Sequence, residues 1–290
     1  MKVKKEVSYS IIVVCLNAGD RLKETIDSIL DQKYENYEVI IKDGGSTDGS
    51  IQALPQDERI HLYEQKDSGI YDAMNQAVKY ATGDYFIFLN AGDSFYSDAV
   101  LDKITDEILS YTEESTGIEL KDSKPAQPLD KAFPDIIYGN LHHKALDTVI
   151  YASPEINDFA CFRNVPCHQT CFYSRKLFEQ RGYKPEYNVR ADYEHFLWCY
   201  YEYKAKIKYT PVIVAAYEGG GYSETPENRK KSAKQHREIT EHYMGKNKAR
   251  KYRMIMLITL APLRSKIAED EHLSKIYNAV KTEIYKLKHK

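Results

Sequence analysis

Three short acidic segments of the chain hold the side chains best suited to chemistry. They are Asp43–Gly49 (DGGSTDG), Asn90–Asp93 (NAGD) and Asp192–His195 (DYEH). In the first segment, glycines let the backbone approach a ligand closely, and the start of a helix offers free N–H groups to an anion. Asp43 could accept a hydrogen bond from a ring N–H or a ribose hydroxyl. The alternative is an ordinary turn in which Ser46 or Thr47 caps a helix.

The other two segments are suited to binding a cation and to accepting a proton. Asp93 follows a predicted strand and could bind Mg²⁺ or Mn²⁺, since Mg²⁺ is usually held by only one or two protein carboxylates. Asp192 opens a predicted helix and could be a general base for an acceptor hydroxyl. Helix capping is the competing explanation for both aspartates. Glu194 and His195 are alternative bases, although they point in other directions around the helix.

Three cysteines and a histidine lie close together and raise the question of a zinc site. Cys161, Cys167, His168 and Cys171 follow the pattern C-x5-C-H-x2-C, without the paired C-x2-C spacing of structural zinc sites. We therefore interpret the five cysteines of the chain as reduced, partly buried thiols rather than as metal ligands or a disulfide scaffold. Taken alone, His168 is interpreted as an internal histidine.

Strand and helix patterns alternate through the first hundred residues and would position these segments. The predicted strands are 10–16, 37–42, 60–64 and 85–89, with helical patterns over 22–30 and about 71–81. Such alternation indicates parallel strands with right-handed crossovers, and ligands bind such sheets at the carboxyl ends of the strands. Asn17, Asp43 and the Asn90–Asp93 segment all follow strand ends. We therefore expect an α/β fold that gathers them at one edge.

The remainder of the chain has a more mixed pattern and a helical end. Strands are predicted near 136–139, 148–151, 170–173 and 212–217, and a helix over about 192–203. Residues 111–133 are polar, contain prolines and are predicted to form a mobile insertion. From Glu227 onward the pattern is wholly helical. We expect two parts, an α/β domain over 1–225 and a helical C-terminal extension over 226–290.

Charge is distributed unevenly between these two parts. Residues 226–290 hold 17 Lys and Arg against 7 Asp and Glu, whereas residues 1–225 hold 24 against 36. A basic tail predicts an anionic partner. Basic residues over 246–266 flank the apolar run 254–263 (MIMLITLAPL), which is too short to span a bilayer and could lie on an anionic membrane surface. The alternative is packing of these helices on the body or on another subunit.

Composition limits the class of protein and its expected location. Hydrophobic residues make up 42% and charged residues 29% of the chain, which argues against both a membrane bundle and a disordered chain. The apolar run near the N-terminus is short and β-branched, so we interpret it as a strand rather than a signal peptide. We expect a cytoplasmic protein, peripheral at the inner face of the cell membrane if the tail binds lipid.

Taken in order, these segments resemble glycosyltransferase family 2. The likeness is carried by IIVVCLNAGD, KDGGSTDGS, DSGIYDAMNQAVKYATGDYFIFLNAGD, CHQTCFYSRKLF, ADYEHFL and EGGGYS, and it covers roughly residues 8–225. The resemblance implies a GT-A fold, with a central, mostly parallel sheet flanked by helices, and inversion at the anomeric carbon. The GIYDAMN and LNAGD segments are similar to those of bacterial enzymes that build capsule, exopolysaccharide or lipopolysaccharide.

The resemblance also implies roles for individual residues. From the donor to the acceptor side, these are donor contacts at Leu16, Asn17, Asp43, Asp67, Gly69, Asn90 and Asp93, the metal ligand at Asp93, the sugar or acceptor pocket at His168 and Gln169, and the catalytic base at Asp192. Many members carry further carboxylates where this chain has Asn90 and Gly92. Asp93 is therefore the one anionic ligand that the motif supplies for Mg²⁺ or Mn²⁺.

The implied activity is transfer of one hexose or N-acetylhexosamine from a nucleotide-diphospho-sugar, preferably a UDP-sugar. The acceptor would be a hydroxyl of a glycan or of a polyprenyl-diphosphate-linked glycan. The Gln-x-x-Arg-Trp motif of processive members is absent, since Trp198, the single tryptophan, has another context. We therefore expect one sugar per acceptor, with a β-linked product from an α-linked donor.

Other classes of protein are weighed against this interpretation. A Rossmann dehydrogenase would need G-x-G-x-x-G after the first strand, where this chain has NAGD. A nucleotidylyltransferase would open with a Gly- and Arg-rich phosphate loop. The tail is not expected to bind nucleic acid, because its apolar run suits lipid or protein better. A non-catalytic nucleotide-sugar-binding protein of the same fold remains the alternative.

Overall fold

The structure is a computed structural model that describes residues 7–116, 133–219 and 225–259. The strands in this part of the chain are β1 (Tyr9–Cys15), β2 (Tyr37–Asp43), β3 (Ile60–Glu64), β4 (Tyr85–Phe88), β5 (Ser94–Phe95), β6 (Ile136–His143), β7 (Thr148–Ile150), β8 (Cys171–Ser174) and β9 (Ile207–Tyr217). They form one sheet in the order β3-β2-β1-β4-β8-β6-β9-β5, with β7 paired to β6.

Eight α-helices occur within the described residues. They are α1 (Asp20–Leu30), α2 (Ile70–Val78), α3 (Val100–Thr116), α4 (Asp158–Arg163), α5 (Arg175–Gln180), α6 (Ala191–Trp198), α7 (Pro226–Met244) and α8 (Lys246–Ile258). A 3₁₀ turn at His168–Thr170 precedes β8, and a π-helical turn at Cys199–Tyr203 continues α6. This α/β arrangement agrees with the predicted fold class.

The first half of the sheet is parallel, as the alternating pattern predicts. β1 pairs in parallel with β2 and with β4, and β2 pairs in parallel with β3. Ile11 and Val13 of β1 belong to one core cluster, whereas Ile12 and Val14 belong to the cluster that includes α2. Both faces of β1 are therefore buried, which explains why the strand is apolar at successive positions.

The second half adds antiparallel pairs, so the complete sheet is mixed. β8 is antiparallel to both β4 and β6, while β6 and β9 are parallel. β5 begins directly after Asp93 and pairs antiparallel with Ala215 and Ala216 of β9. This pairing brings the Asn90–Asp93 loop beside the end of β9. Residues from both halves of the chain therefore border the same edge.

Several predicted boundaries differ from those in the structure. β9 starts at Ile207 rather than near 212. Its register with β6 shifts beside Pro211, whose carbonyl accepts from Asn140 Nδ2 at 2.9 Å. Proline at such an irregularity breaks the apolar alternation by which a strand is recognised. The helix predicted over 192–203 turns π-helical at Cys199. Residues 111–116 belong to α3, and 117–132 lie outside the described residues.

The first part of the C-terminal extension packs on the α/β body. Ile239, Met244 and Ala249 of α7 and α8 share a core cluster with Phe162 and Leu197. Among the described helices, none combines the length and apolar character needed to cross a bilayer. Residues 220–224 and 260–290, which include the end of the predicted membrane-binding segment, lie outside the described residues.

Candidate functional site

Hydrogen bonds join the loops that follow β1 and β2. The backbone N–H of Asn17 donates to Ser46 Oγ at 2.8 Å, and Asn17 Oδ1 accepts from the N–H of Thr47 at 2.9 Å. The N–H of Gly19 donates to Asp48 Oδ2 at 2.8 Å. These bonds hold Asn17 in a left-handed conformation, with φ of 50°. The two predicted donor-side segments therefore form a single structural unit.

Asp43 is fully buried at the centre of this unit. Its Oδ2 accepts from the N–H groups of Gly45 and Ser46 at 2.9 and 2.8 Å, and its Oδ1 accepts from Ser46 Oγ. Burial by itself raises the pKa of Asp43, but these hydrogen bonds outweigh it and lower the pKa. The carboxylate thus shapes its own loop. Its predicted contact with a nucleotide base stays a prediction.

A buried lysine that the sequence interpretation missed supports the same loops. Lys42, at the end of β2, is fully buried and donates to the carbonyls of Asp43 and Gln65 and to Asp67 Oδ2 at 2.9 Å. Asp67 Oδ1 also accepts from the N–H of Gly69 at 3.1 Å. A buried ammonium requires such partners. Its signal in the sequence is a lysine that directly follows the apolar residues of the segment YEVIIKD.

Leu16 is the exposed member of the predicted donor contacts. It follows β1 directly, and 59% of its surface is exposed, although it is a large apolar side chain. It borders Gly44, where a Cβ atom would lie 3.4 Å from Leu16 Cδ1 and 2.9 Å from Asp67 Oδ2. Any side chain at position 44 would therefore crowd Asp67 and Leu16, and glycine avoids this contact.

Asp93 is buried in a loop that α1 holds in place. Thr25 Oγ1 accepts from the N–H of Gly92 at 2.9 Å and lies 2.7 Å from the carbonyl of Asp93. Asp93 Oδ2 accepts from the N–H of Asn90 at 3.2 Å, and its carboxylate also bonds the Gln169 side chain. Burial raises the pKa of Asp93 to about 6. Thr25 was not predicted, because its position on a helix face gives no sign of this contact.

Asp192 lies at the start of α6 with a donor on each carboxylate oxygen. The Tyr71 hydroxyl donates to Oδ1 at 2.8 Å, and His168 Nδ1 lies 3.2 Å from Oδ2. The other ring nitrogen, His168 Nε2, lies 3.1 Å from Asn90 Nδ2. A neutral imidazole with its proton on Nδ1 satisfies both contacts. Tyr71, Asp192, His168 and Asn90 therefore form a continuous chain, which we call the base site.

Electrostatic effects within the base site favour an ionised aspartate. Burial raises the pKa of Asp192, but the hydrogen bonds from His168 and Tyr71 lower it by more. Burial lowers the pKa of His168, and the carboxylate of Asp192 raises it above the ordinary value. About a quarter of the Asp192 side chain, 26%, is exposed. The carboxylate is therefore ionised at neutral pH, and part of the Asp192 side chain is open to solvent.

The two alternative bases on α6 have other roles. Glu194 accepts from Arg181 Nη1 and Nη2 at 2.9 and 2.8 Å, contacts Lys184 and Tyr243, and is 1% exposed. His195 lies among aromatic rings, and its Nε2 donates to the carbonyl of Arg181 at 3.0 Å. Both side chains are committed to internal contacts, which leaves Asp192 as the candidate base among the three.

The oxygen atoms of Asn90 and Asp93 suit a cation that takes few ligands from the protein. No group of three His, Cys, Asp or Glu side chains that could hold a metal occurs in the described part of the chain. Within the same residues, Asn90 Oδ1 is buried without a hydrogen-bond partner, and the backbone N–H of Asn90 donates to the carboxylate of Asp93. Two oxygens of this kind fit Mg²⁺ or Mn²⁺, which take further ligands from substrate phosphates.

The predicted residues thus fall into two groups that one helix connects. Leu16, Asn17, Asp43, Asp67 and Gly69 lie on the donor-side loops, and Asn90, Asp93, His168, Gln169 and Asp192 lie at or beside the base site. Tyr71 follows Gly69 by two residues and reaches Asp192. It was not predicted to have a role, although it stands in the quoted GIYDAMN segment.

Comparisons with known proteins show which proteins this chain resembles. Residues 10–115 match the model of the family described as glycosyl transferase family 2. The chain is 32% identical over 224 residues to a PGL/p-HBAD biosynthesis glycosyltransferase of Mycobacterium tuberculosis, which covers 75% of this chain and 79% of that protein. It is 40% identical over 94 residues to the putative teichuronic acid biosynthesis glycosyltransferase TuaG of Bacillus subtilis, 31% of this chain and 37% of that one.

Solved structures resemble the chain in fold. S. aureus TarS 1-349 has a TM-score of 0.58 at 16% identity and matches 80% of this chain, but this chain spans only 65% of the TarS fragment. The mannosyltransferase PcManGT from Pyrobaculum calidifontis, solved with GDP-Man and Mn²⁺, has a TM-score of 0.55 at 15% identity, over 94% of this chain and 86% of that one. These likenesses confirm the predicted GT-A fold.

Proposed function

Because the chain belongs to glycosyltransferase family 2 and is a glycosyltransferase, we propose that it moves one sugar from a UDP-sugar to a hydroxyl of a glycan or lipid-linked glycan. The observation that carries this proposal is Asp192, an accessible carboxylate whose two oxygens are fixed by Tyr71 and His168. Two structures of TarS, one in complex with UDP and one in complex with UDP-GlcNAc, support the choice of nucleotide and of a hexose or N-acetylhexosamine.

The names of the relatives support a role in glycoconjugate synthesis. They refer to PGL/p-HBAD and to teichuronic acid biosynthesis. We propose that residues 1–225 form the catalytic domain for this reaction and that residues 226–290 form an extension on it. Asn17, Asp43, Asp67 and Gly69 of this domain would contact the nucleotide, and Leu16 would border its base.

The proposed mechanism is a single displacement at the anomeric carbon. Asp192 accepts the proton of the acceptor hydroxyl, whose oxygen bonds to the anomeric carbon from the face opposite the diphosphate. The bond between that carbon and the diphosphate oxygen breaks, and the electron pair leaves with the nucleoside diphosphate. Attack from the opposite face inverts the configuration. His168 and Gln169 would line the sugar or acceptor pocket beside this reaction.

The oxygens of Asn90 and Asp93 would hold Mg²⁺ or Mn²⁺ on the donor side. A bound cation would neutralise the charge that develops on the departing diphosphate. Asp93 is buried, and hydrogen bonds with Thr25 fix the loop that carries it. Asp93 would be the carboxylate among the proposed cation ligands, so oxygens of the substrate would supply further ligands.

Donor recognition and turnover together test the proposed function. Thermal shift with UDP-, GDP- and dTDP-sugars, each with Mn²⁺, should show stabilisation by a UDP-sugar, because a ligand that binds the folded state raises the melting temperature. The stabilising donor is then assayed for transfer and for hydrolysis. Binding without either reaction would favour the alternative of a non-catalytic nucleotide-sugar-binding protein.

Calorimetry of donor binding tests the cation site separately. Asp93→Ala should remove the Mn²⁺-dependent part of the donor affinity, since the variant lacks the anionic ligand. Asp98→Ala is the matched control, because Asp98 is half exposed and pairs with Lys33 at the surface. An Asp93→Ala variant that keeps the full effect of Mn²⁺ would contradict the assignment.

The exposed end of α8 would bring this enzyme to an anionic membrane. Met254, Leu257 and Ile258 are 57%, 60% and 75% exposed, and Arg250 and Lys251 are exposed one turn earlier on the same face. Apolar side chains flanked by basic ones suit the surface of an anionic bilayer, where each basic residue contributes about 1 kcal/mol. A lipid-linked acceptor would be met at such a surface.

Vesicle flotation tests this attachment with the full-length chain. The chain should float with phosphatidylglycerol vesicles and remain behind with phosphatidylcholine vesicles. Replacing Met254, Leu257 and Ile258 by serine should abolish flotation, whereas Leu62→Ser, at an exposed leucine of β3, should not. A wild-type chain that ignores anionic vesicles would overturn the proposed attachment.

A further inference from the structure

Tyr71 is a buried tyrosine whose hydroxyl contacts the proposed base. It is the second residue of α2 and is 7% exposed. Its hydroxyl donates to Asp192 Oδ1 at 2.8 Å across a sequence separation of 121 residues. A second acceptor, the carbonyl of Val189, lies farther away at 3.4 Å. The shorter bond, to a charged oxygen, is the stronger of the two.

The contact with Tyr71 completes the fixation of the carboxylate. His168 Nδ1 lies 3.2 Å from Asp192 Oδ2 and can bond one oxygen. With one donor, an aspartate can still rotate about its last torsion, which is broad and roughly two-fold. With a second donor on Oδ1, the plane of the carboxylate is fixed. The free lone pairs of Asp192 then keep fixed directions relative to the protein, so that an acceptor hydroxyl can approach one of them in a defined geometry.

The backbone around Tyr71 is itself anchored on the donor side. Gly69 precedes α2 with a φ of 139°, and its N–H donates to Asp67 Oδ1 at 3.1 Å. Asp67 is in turn paired with the buried Lys42 at 2.9 Å. The first turn of α2 therefore starts from a fixed ion pair and ends at the base. This arrangement places the Tyr71 hydroxyl independently of the segment that carries Asp192.

We propose that Tyr71 is a positioning residue, whose hydroxyl holds the carboxylate of Asp192 in the orientation that takes the proton from the acceptor. The inference rests on the proposed function, because it concerns the same base. General-base catalysis depends on geometry within about 0.5 Å, and a displacement of about 1 Å can cost 10²-fold in rate. The Tyr71 hydroxyl contacts the proposed base, so we expect its loss to lower turnover.

The test compares Tyr71→Phe with Tyr183→Phe. Tyr183 is also buried, and its ring centroid lies 5.4 Å from that of Tyr71. Its hydroxyl, however, has no hydrogen-bond partner among the described residues. Tyr71→Phe should lower kcat about 10- to 100-fold, as expected for losing one hydrogen bond to a charged group. KM for donor and acceptor should stay within about two-fold, and Tyr183→Phe should keep the wild-type kcat.

A double variant separates positioning from a general structural effect. In an Asp192→Asn background, Tyr71→Phe should cause little further loss, because residues that act as a unit are not additive. Equal losses from Tyr71→Phe and Tyr183→Phe, an unchanged kcat in Tyr71→Phe, or an undiminished loss in the Asp192→Asn background would each overturn the inference. Full transfer by Asp192→Asn alone would instead overturn the proposed base, and with it the function assigned to Tyr71.

Discussion

Two carboxylates that lie two residues apart on α6, those of Asp192 and Glu194, have different surroundings. Asp192 belongs to the base site, where a hydroxyl and an imidazole hold it and 26% of its side chain is exposed. Glu194 belongs to what we call the ion-pair site, formed with Arg181, Lys184 and Tyr243, and is 1% exposed. Burial raises the pKa of each, and their partners lower both below the ordinary values.

The comparison teaches that a lowered pKa does not identify a base. Glu194 is held by two cations and closed to solvent, so no acceptor hydroxyl can reach it. Asp192 keeps an open side and partners that leave lone pairs free. The ion-pair site also fastens the C-terminal helices, because Tyr243 of α7 donates to Glu194. We therefore propose that the base site serves turnover and that the ion-pair site serves stability.

Asp192→Asn should give the largest effect on activity. Transfer should fall about 10²–10⁴-fold, since asparagine cannot take up the proton. Donor binding, measured by thermal shift, should persist because the donor-side loops are untouched. Unfolding in denaturant should show only a small change in free energy. Wild-type turnover in this variant would remove Asp192 from the base site.

Glu194→Gln should give the converse result. Breaking a buried ion pair by neutralising one partner leaves the charges of Arg181 and Lys184 uncompensated and costs about 3–5 kcal/mol. Denaturant unfolding should register this loss, while kcat of the folded fraction stays near wild type. The control is Glu179→Gln, at a carboxylate that is 59% exposed. Loss of kcat without loss of stability would break the division between the two sites.

Acid should lower the unfolding free energy of the chain through His195, which also lies on α6. Burial among Phe178, Tyr173 and Tyr183 lowers the pKa of His195 from 6.5 to about 4. The unfolded chain therefore binds a proton that the folded chain refuses. Above pH 6.5, His195 is neutral in both states and its burial costs the fold no proton. As the pH falls from 6.5 toward 4, the unfolding free energy decreases by about 3 kcal/mol, at about 1.4 kcal/mol per pKa unit.

Stability measured against pH checks the sign of this effect. Between pH 6.5 and 4, the wild-type chain should lose more unfolding free energy than His195→Gln, which has no titrating ring. The groups of Asp192 and Glu194 lose their contributions only at lower pH, because their pKa values are lowered from 3.8 and 4.5. Equal slopes in wild type and His195→Gln would contradict the assigned role of burial.

The smallest expected effect concerns the start of α7. Thr225 Oγ1 caps this helix by accepting from the N–H of Asn228 at 3.3 Å. Thr225→Ala should lower the unfolding free energy by about 1 kcal/mol, and Thr225→Ser, which keeps the hydroxyl, should restore most of it. A loss as large as that of Glu194→Gln would show that the cap, rather than the ion-pair site, anchors α7.

The parallel half of the fold could be predicted because its signals are local. The apolar runs that became β1, β2 and β4 are buried on both faces, and each ends at glycine- or asparagine-rich turns. Parallel strands then bring those turns to one edge, whatever the rest of the chain does. The positions of Asn17, Asp43 and Asn90–Asp93 followed from this rule alone.

The sequence by itself determined the family, the parallel half of the sheet and a set of candidate carboxylates. Tertiary structure decided which of these carboxylates remain accessible to solvent. It placed the Tyr71 hydroxyl against Asp192 and the Arg181 guanidinium against Glu194. It also set the β9 register at Pro211 and buried Lys42 beneath the donor-side loops. Helical and strand periodicity are written over a few neighbouring residues. Contacts between distant side chains arise only from packing, which no local pattern records.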